Sequence, residues 1–456
     1  MVRLLSVQIK YLLCRQRGLR LNFDPESGLA RRVLLLSSLL ISLLLTALMA
    51  NSPASASAQI LLPRTGISAE ELGLIVNEDD PLSRRIGEYY QKVRHIPPGN
   101  LIHVHFRPGQ SALNKDEFAQ LKTKIDQATL AHVQAYAVAW TSPYRVACMS
   151  MTSALTLGYD DNYCSSKCGP TKASPYFNSP SLYPASDHKM RPSMMLAGID
   201  FEHVKALIDR GVASDQQFPD GRAYLLDTPD KARSVRSAYF EETATELKDV
   251  FPIEILETGA IENRQDVLFY FTGLSQVPQL KTLRFLPGAL ADHLTSFGGQ
   301  LTDSSQMSSL NWLEAGATAS YGTVVEPCNH PQKFPFPLVA MFFYASGATA
   351  IEAYWKSVAW PGEGIFIGEP LAHPFAPKLL EVQSGQFELT IFSPRERQIG
   401  IERSSSPIGP FALLRGQQPI HRGRNLIRFS IPTEASGYLR LNILDSNTGT
   451  IVTPRR

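Results

Sequence analysis

Residues 71–140 read ELGLIVNEDDPLSRRIGEYYQKVRHIPPGNLIHVHFRPGQSALNKDEFAQLKTKIDQATLAHVQAYAVAW, and the spacing of the apolar positions switches repeatedly along them. ELGLIVN (71–77) is a short apolar run closed by Asn77, the pattern of a buried strand. DPLSRRIGEYYQKVRHI (80–96) has helical spacing, with Ile86, Tyr89, Tyr90 and Val93 on one side. Asp80 suits the N-cap and Pro81 the first helical position. NLIHVHF (100–106) returns to strand character. NKDEFAQLKTKIDQATLAHV (114–133) is a second amphipathic helix with Phe118, Leu121, Ile125 and Leu130 at core spacing, and AYAVAW (135–140) is a third strand. Strands alternating with helices predict a mainly parallel sheet, covered by helices and joined by right-handed connections.

Residues 141–192 interrupt this rhythm with Ser, Pro, Tyr, Asn and Gly. So long an irregular stretch is either functional or an insertion tied by disulfides. Alternation then resumes: helical 200–213, strand RAYLLD (222–227), helical 230–249, and strands FPIEILE (251–257) and DVLFYFTG (266–273). GALADHLTSFGG (288–299) is another strand-like run. SSLNWLEAGAT (308–318) leads into a helix, ATASYGTVVE (317–326) into a strand, and residues 339–358 form a helical stretch broken near Gly347. The segment EPLAHPFAP (369–377) reads as a proline-punctuated linker. After it come FELTIFSP, RQIGIERS, LIRFSIP and YLRLNILD, short alternating segments that predict a small C-terminal β-sandwich over 378–456.

The leader bears on the chemistry of the cysteines. VLLLSSLLISLLLTALMA (33–50) follows Arg31 and Arg32 and precedes ASASAQI, with Ala56 and Ala58 placed as in an A-x-A cleavage site. Residues 1–58 therefore read as an n-region and signal peptide, leaving 59–377 as the α/β region. The alternative is a retained inner-membrane anchor, since the run is near the lower limit for a span. Export implies the periplasm or the extracellular space. Cys148, Cys164, Cys168 and Cys328 then suggest two disulfides, with three possible connectivities. Cys164 and Cys168, in DDNYCSSKCGP (160–170), could pair with each other or staple their loop to the body. A zinc site adding His188 lacks a second ligand pair. A net charge of +2 offers no field for nucleic acid. A membrane is expected as a partner only through an uncleaved leader, and no cofactor or metal is expected.

No phosphate loop, zinc helix, nucleophile elbow or dinucleotide fingerprint is present in the sequence. Three constellations remain. ADHLTSFGGQL (291–301) places Asp292, His293, Thr295 and Ser296 at the end of an apolar strand, where ligands bind in parallel α/β sheets. TVVEPCNHPQKFP (323–335) gathers Glu326, Cys328 and His330, with Glu326 facing the same edge as Ser296 if the two strands are parallel. His103 and His105 share a strand face without an obvious third metal ligand. The catalytic candidates are Ser296, His293, Glu326 and His330. His293, three residues before Ser296, points to the opposite face of a strand.

VNEDDPLSRRIGEYYQKVRHIPPGNLI, ALADHLTSFGGQL, WLEAGATASYGTVVEPCNHPQKFP and GATAIEAYWKSVAWPGEGIFIGEPLAHPF together resemble an uncharacterised secreted bacterial family that co-occurs with exosortase, over roughly residues 70–377. The resemblance implies an exported envelope protein, accessory to that sorting system, whose partner is another envelope protein or a polysaccharide component. More distantly, the strand before TGLS, the strand before TSFGG and the late helix before GEPL are similar to gingipain-type cysteine peptidases. That likeness implies a caspase-like three-layer α/β sandwich followed by an immunoglobulin-like module. Those peptidases carry a His between glycines after one strand and a Cys after the next. The corresponding places here are Thr272-Gly273-Leu274-Ser275 and Thr295-Ser296-Phe297-Gly298, without either dyad member. The resemblance therefore implies a non-catalytic binding or accessory protein. The alternatives are a hydrolase with a rearranged Ser/His/Glu site and a structural, disulfide-stabilised envelope protein.

Overall fold

The computed structural model describes residues 58–165, 168–431 and 436–444; the expected signal segment lies outside the described residues. In chain order the first elements are β1 (Gln59–Leu61), β2 (Leu72–Asn77), α1 (Pro81–Arg94), β3 (Leu101–Val104), β4 (Ala112–Leu113), α2 (Lys115–Ala128) and β5 (Ala135–Val138). The stretch expected to be irregular holds β6 (Arg145–Val146), β7 (Met149–Ser150), α3 (Met151–Leu157) and α4 (Pro184–His188). Then come β8 (Ser193–Met195), α5 (Phe201–Ser214), β9 (Arg222–Asp227), α6 (Phe240–Leu247), β10 (Ile253–Glu257), β11 (Val267–Thr272) and β12 (Phe285–His293). They are followed by α7 (Leu310–Ala315), β13 (Ala319–Thr323), α8 (Pro337–Ala345), α9 (Ala350–Ser357) and β14 (Gly364–Gly368). The last strands are β15 (Lys378–Gln383), β16 (Gln386–Ser393), β17 (Arg397–Ser404), β18 (Ala412–Ile420), β19 (Gly423–Ser430) and β20 (Tyr438–Leu444).

The local signals act as their chemistry predicts. The Asp80 carboxylate accepts from the Leu82 amide at 2.9 Å with Pro81 at the first position of α1, and Asn114 forms a capping box with Glu117 on α2. Leu130, expected in the core, is 44 % exposed. The Thr129 hydroxyl donates to the Ile125 carbonyl at 2.6 Å where α2 stops, and Val133 fills the core instead. The helical stretch 339–358 breaks into α8 and α9 around Gly347, whose φ of +86° suits glycine.

A ten-stranded sheet in the order β10-β9-β11-β12-β13-β14-β8-β5-β2-β3 organises the α/β region. Its pairings are parallel except one: β13 and β14 are antiparallel, from Ala319↔Gly368 to Thr323↔Gly364. The sheet is thus two parallel halves running in opposite directions, and their C-terminal strand ends lie on opposite edges. Helices cover both faces. Leu74, Val76 and Phe271 pack with α1, α5, α6, α8 and α9, whereas Ile75, Val138 and Ile367 pack with α2, α3 and α7. The connection from β5 to β8 must cross from one edge to the other, and residues 141–192 make that passage.

The C-terminal strands form two sheets, β15-β16-β19 and β1-β20-β17-β18, whose inward side chains Leu389, Ile391, Phe429, Ile399, Leu439 and Leu441 share one cluster. The sequence reading finds four of these strands and misses β15, β18 and β1. The segment Gln59–Leu61 was expected in the α/β region. It lies beside β20 instead, in parallel register from Gln59↔Tyr438 to Leu61↔Arg440. Phe392 on β16 joins this part to the body, with ring centroids 4.6 Å from Phe375 and 5.5 Å from Phe251.

Candidate functional site at the ends of β11, β12 and β13

β11, β12 and β13 are parallel neighbours, so the segments that follow them emerge at one edge. A cleft of about 350 Å³ opens there, lined by Arg233, Thr295, Ser296, Glu326 and the Cys168–Cys328 disulfide, with Leu294 and Pro327 among its apolar walls. The sequence reading placed Ser296 and Glu326 at this edge, and the fold brings both to the same cleft.

Close backbone approach sets the floor. A Cβ at Gly299 would stand 2.7 Å from the Gly322 carbonyl oxygen, so the segment after β12 lies directly on β13. The Thr323 hydroxyl bonds to the carbonyls of Thr295 (2.9 Å) and Ser296 (3.0 Å), and Gly299 N–H donates to the Thr323 carbonyl at 2.9 Å. Ser296 is half-buried, on a backbone that is held on both sides.

Arg233 is the residue that sequence reasoning missed, because 230–249 read as helix rather than as a strand-end loop. Its carbonyl oxygen lies 1.9 Å from where a Cβ on Gly273 would be, so the loop rests on the end of β11 only because residue 273 is glycine. Its guanidinium is oriented by Asp230 at 2.7 Å and donates from Nε to the Thr295 hydroxyl at 3.1 Å. Gln306 Oε1 accepts from both the Thr295 hydroxyl and the Phe297 amide at 2.8 Å. The signal that was available is the Asp230/Arg233 spacing of three residues just after strand RAYLLD.

The histidines do not supply a base to this hydroxyl. His293 is fully buried and faces away from the cleft. Its Nδ1 accepts from Trp312 Nε1 at 2.8 Å and its Nε2 donates to the Met307 carbonyl at 3.1 Å, which fixes the tautomer. Burial pulls its pKa down to about 3, so the ring is neutral. As a candidate base His293 is therefore corrected to a core residue. His330 bonds through Nε2 to the Cys168 carbonyl at 2.7 Å and packs on Trp360; it braces the wall and is not among the residues lining the cleft. Glu326 is exposed and accepts the Cys328 amide at 2.8 Å.

The wall comes from the irregular insertion. Cys148 pairs with Cys164, and Cys168 with Cys328, so Cys164 and Cys168 do not pair with each other. This also removes the zinc reading, and His188 instead meets the Ser179 hydroxyl at 2.8 Å. Cys168 and Cys328 both adopt left-handed backbone, φ +62° and +59°, which non-glycine residues enter at a cost. Behind them the buried Lys333 ammonium lies 2.6 Å from Glu363, whose other oxygen accepts the Ser165 amide at 2.6 Å. His103 and His105 are exposed and each meets a carboxylate, Glu78 at 2.5 Å and Asp79 at 2.9 Å. No group of three His, Cys, Asp or Glu suited to a metal occurs among the described residues.

Beneath the cleft Asp292 points to the other face of the sheet from His293. It lies 2.6 Å from Arg236 Nη1, yet neither of its oxygens has an aligned hydrogen bond. Arg236 donates instead to the carbonyls of Thr272 (2.7 Å) and Pro335 (3.1 Å). Burial pushes the Asp292 carboxyl up to about 6, against the pull of Arg236.

No family model, curated protein or solved structure matches the chain. The cleft offers a hydroxyl, a carboxylate and an oriented guanidinium. That set can hold a polar ligand, and among the described residues no imidazole lines the cleft beside the hydroxyl.

Proposed function

We propose that this chain is an exported, non-catalytic binding protein of the cell envelope, built on a caspase-like α/β scaffold with a C-terminal β-sandwich. The observation that carries the proposal is the make-up of the cleft: Ser296, Glu326 and Arg233 line it, and among the described residues no imidazole or free thiol does. In caspase-like peptidases the segments after two adjacent strands carry the base and the thiol. Here those places hold Leu274, after β11, and Ser296, after β12. The two disulfides support folding in an oxidising compartment, as the leader reading expects. The opposite charges of Arg233 and Glu326 suit a partner bearing both donors and acceptors. By the resemblance, this partner is an envelope protein or polysaccharide component of an exosortase-associated system.

The test uses the purified protein. Peptide libraries are expected to show no cleavage above that of Ser296→Ala. Capture of a partner from envelope extracts is expected to fall tenfold or more in an Arg233→Glu/Glu326→Arg double variant that still folds. Cleavage abolished by Ser296→Ala would replace this reading with the rearranged hydrolase. Capture that ignores the double variant would favour a purely structural role.

A further inference from the structure

A second cavity, of about 570 Å³, lies between the body and the C-terminal sheets, and it is independent of the strand-end cleft. Its walls come from the segment after β1, the loop before α4, the end of α8, α9 and strands β17 and β20. Lys356, Arg64, Arg395, Arg397 and Arg440 all line it, and no Asp or Glu does among the described residues. Two of these cations have acidic partners outside the lining, Arg64 with Glu71 at 2.7 Å and Arg440 with Glu402 at 2.5 Å.

Lys356 is different. It is 1 % exposed, and among the described residues no carboxylate lies within ion-pair range of it. Its ammonium has three N–H groups but, among the described residues, one hydrogen bond, to the Ser181 carbonyl at 2.8 Å, and otherwise lies near the ring faces of Phe343 (4.6 Å) and Tyr176 (4.8 Å). The acid that acts on it through space, Glu352, is outside ion-pair range and accepts the Ile67 and Thr349 amides and the Thr349 and Tyr176 hydroxyls. A lysine buried to this extent without a counter-ion is costly, and a negative charge arriving in the cavity would relieve that cost. Arginines at the rim add planar donors matched to carboxylate or phosphate oxygens. The volume is that of a ligand site rather than of a single ion.

We infer that this cavity binds a small molecule carrying two or more carboxylate or phosphate groups, held between the α/β body and the C-terminal sheets. The experiment is calorimetric titration of the full chain, disulfides intact, with tripolyphosphate and, separately, with citrate, at low and moderate salt. At least one anion should bind, and the stronger of the two identifies phosphate or carboxylate as the preferred group. Arg64→Gln/Arg440→Gln should weaken that binding tenfold or more. Ser346→Glu should do the same: it adds a carboxylate to the cavity wall without removing a cation. It decides the matter if the double variant does not fold. Lys124→Gln/Lys281→Gln, which removes the same charge from exposed positions elsewhere, should change affinity less than twofold. Binding of neither anion, or equal weakening by both double variants, would overturn the inference.

Discussion

Each half of the large sheet buries one arginine–carboxylate pair near its C-terminal edge, and the two pairs are built differently. After β14, Glu369 receives Arg94 in a two-pronged contact, Nε to Oε1 at 3.0 Å and Nη2 to Oε2 at 2.6 Å, with the Tyr90 hydroxyl adding a bond of 2.6 Å. On β12, Asp292 has Arg236 alongside but no aligned hydrogen bond. The loop ends differ in the same sense. In the first half Asn77 exchanges two bonds with the backbone of Phe106, at 3.0 and 3.2 Å, and the Thr141 hydroxyl exchanges two with Gly198, at 2.8 and 3.0 Å. In the second half the strand ends open into the cleft. At the first half's strand ends these polar groups are satisfied by backbone, whereas at the cleft the Ser296 hydroxyl has no protein partner among the described residues.

The largest effect should come from the disulfide that joins the halves. Cys168–Cys328 spans 160 positions and Cys148–Cys164 spans 16. Loop-closure entropy then gives the first about 5 kcal/mol and the second about 3 kcal/mol. Urea unfolding of paired Cys→Ser variants should show that order. Equal losses would mean that the insertion is held by packing alone.

Glu369→Gln should cost about 3–5 kcal/mol, because it removes a fully buried carboxylate that accepts three hydrogen bonds from Arg94 and Tyr90, although Arg94 keeps its ion pair with Asp215. Asp292→Asn should cost roughly 1–2 kcal/mol, because Arg236 keeps its two carbonyl acceptors. If the two variants unfold at the same denaturant concentration with the same slope, the contrast between the pairs is wrong.

Acid titration of variants against the parent tests the buried pair of the second half, over a background that includes His373, whose pKa burial also lowers. The folded-state pKa of His293 is depressed to about 3, so its contribution is intact above the unfolded value of 6.5 and is lost as pH falls through that window. At about 1.4 kcal/mol per pH unit, this is roughly 2 kcal/mol by pH 5. Asp292 acts in the opposite sense. Its raised pKa, about 6 when folded, gives a contribution present below 3.8 and lost as pH rises through 6. It therefore masks part of the acid loss. Asp292→Asn should show the steeper fall between pH 7 and pH 5, and His293→Gln should lose roughly 2 kcal/mol less than the parent, so that on this pair alone its stability rises as the pH falls. Identical slopes in these variants and the parent would remove both assignments.

Much of the scaffold was legible because period and capping are local properties. Asp80, Pro81 and Asn114 mark the helix starts, and the strand runs are continuous apolar stretches. The reversal between β13 and β14 was not legible: GIFIG was not among the strands read from the sequence, and its direction is set by its partners alone. β1 was missed because three residues carry no period; its place beside β20 depends on the far end of the chain. At the cleft, strand-end logic found Ser296 and Glu326, and alternation placed His293 on the wrong face for catalysis. Arg233 was hidden because it reaches the cleft through contacts with Gly273 and Thr295 that no local pattern encodes. The disulfide connectivity needed the third dimension for the same reason.

The smallest effect separates the two kinds of strand end most directly. Asn77 is fully buried, and besides its bonds with Phe106 it accepts the Asp79 amide at 3.3 Å. Asn77→Ala leaves those backbone groups without partners and should cost about 1–3 kcal/mol. The Ser296 hydroxyl makes no hydrogen bond among the described residues, although its backbone is fixed by Thr323. Ser296→Ala should leave stability within about 0.5 kcal/mol of the parent while removing a hydroxyl from the cleft. A side chain that can be deleted without loss of stability, on a backbone so firmly held, is available for a ligand. A loss at Ser296 as large as that at Asn77 would instead assign this hydroxyl to the fold and weaken the case that the cleft is a site.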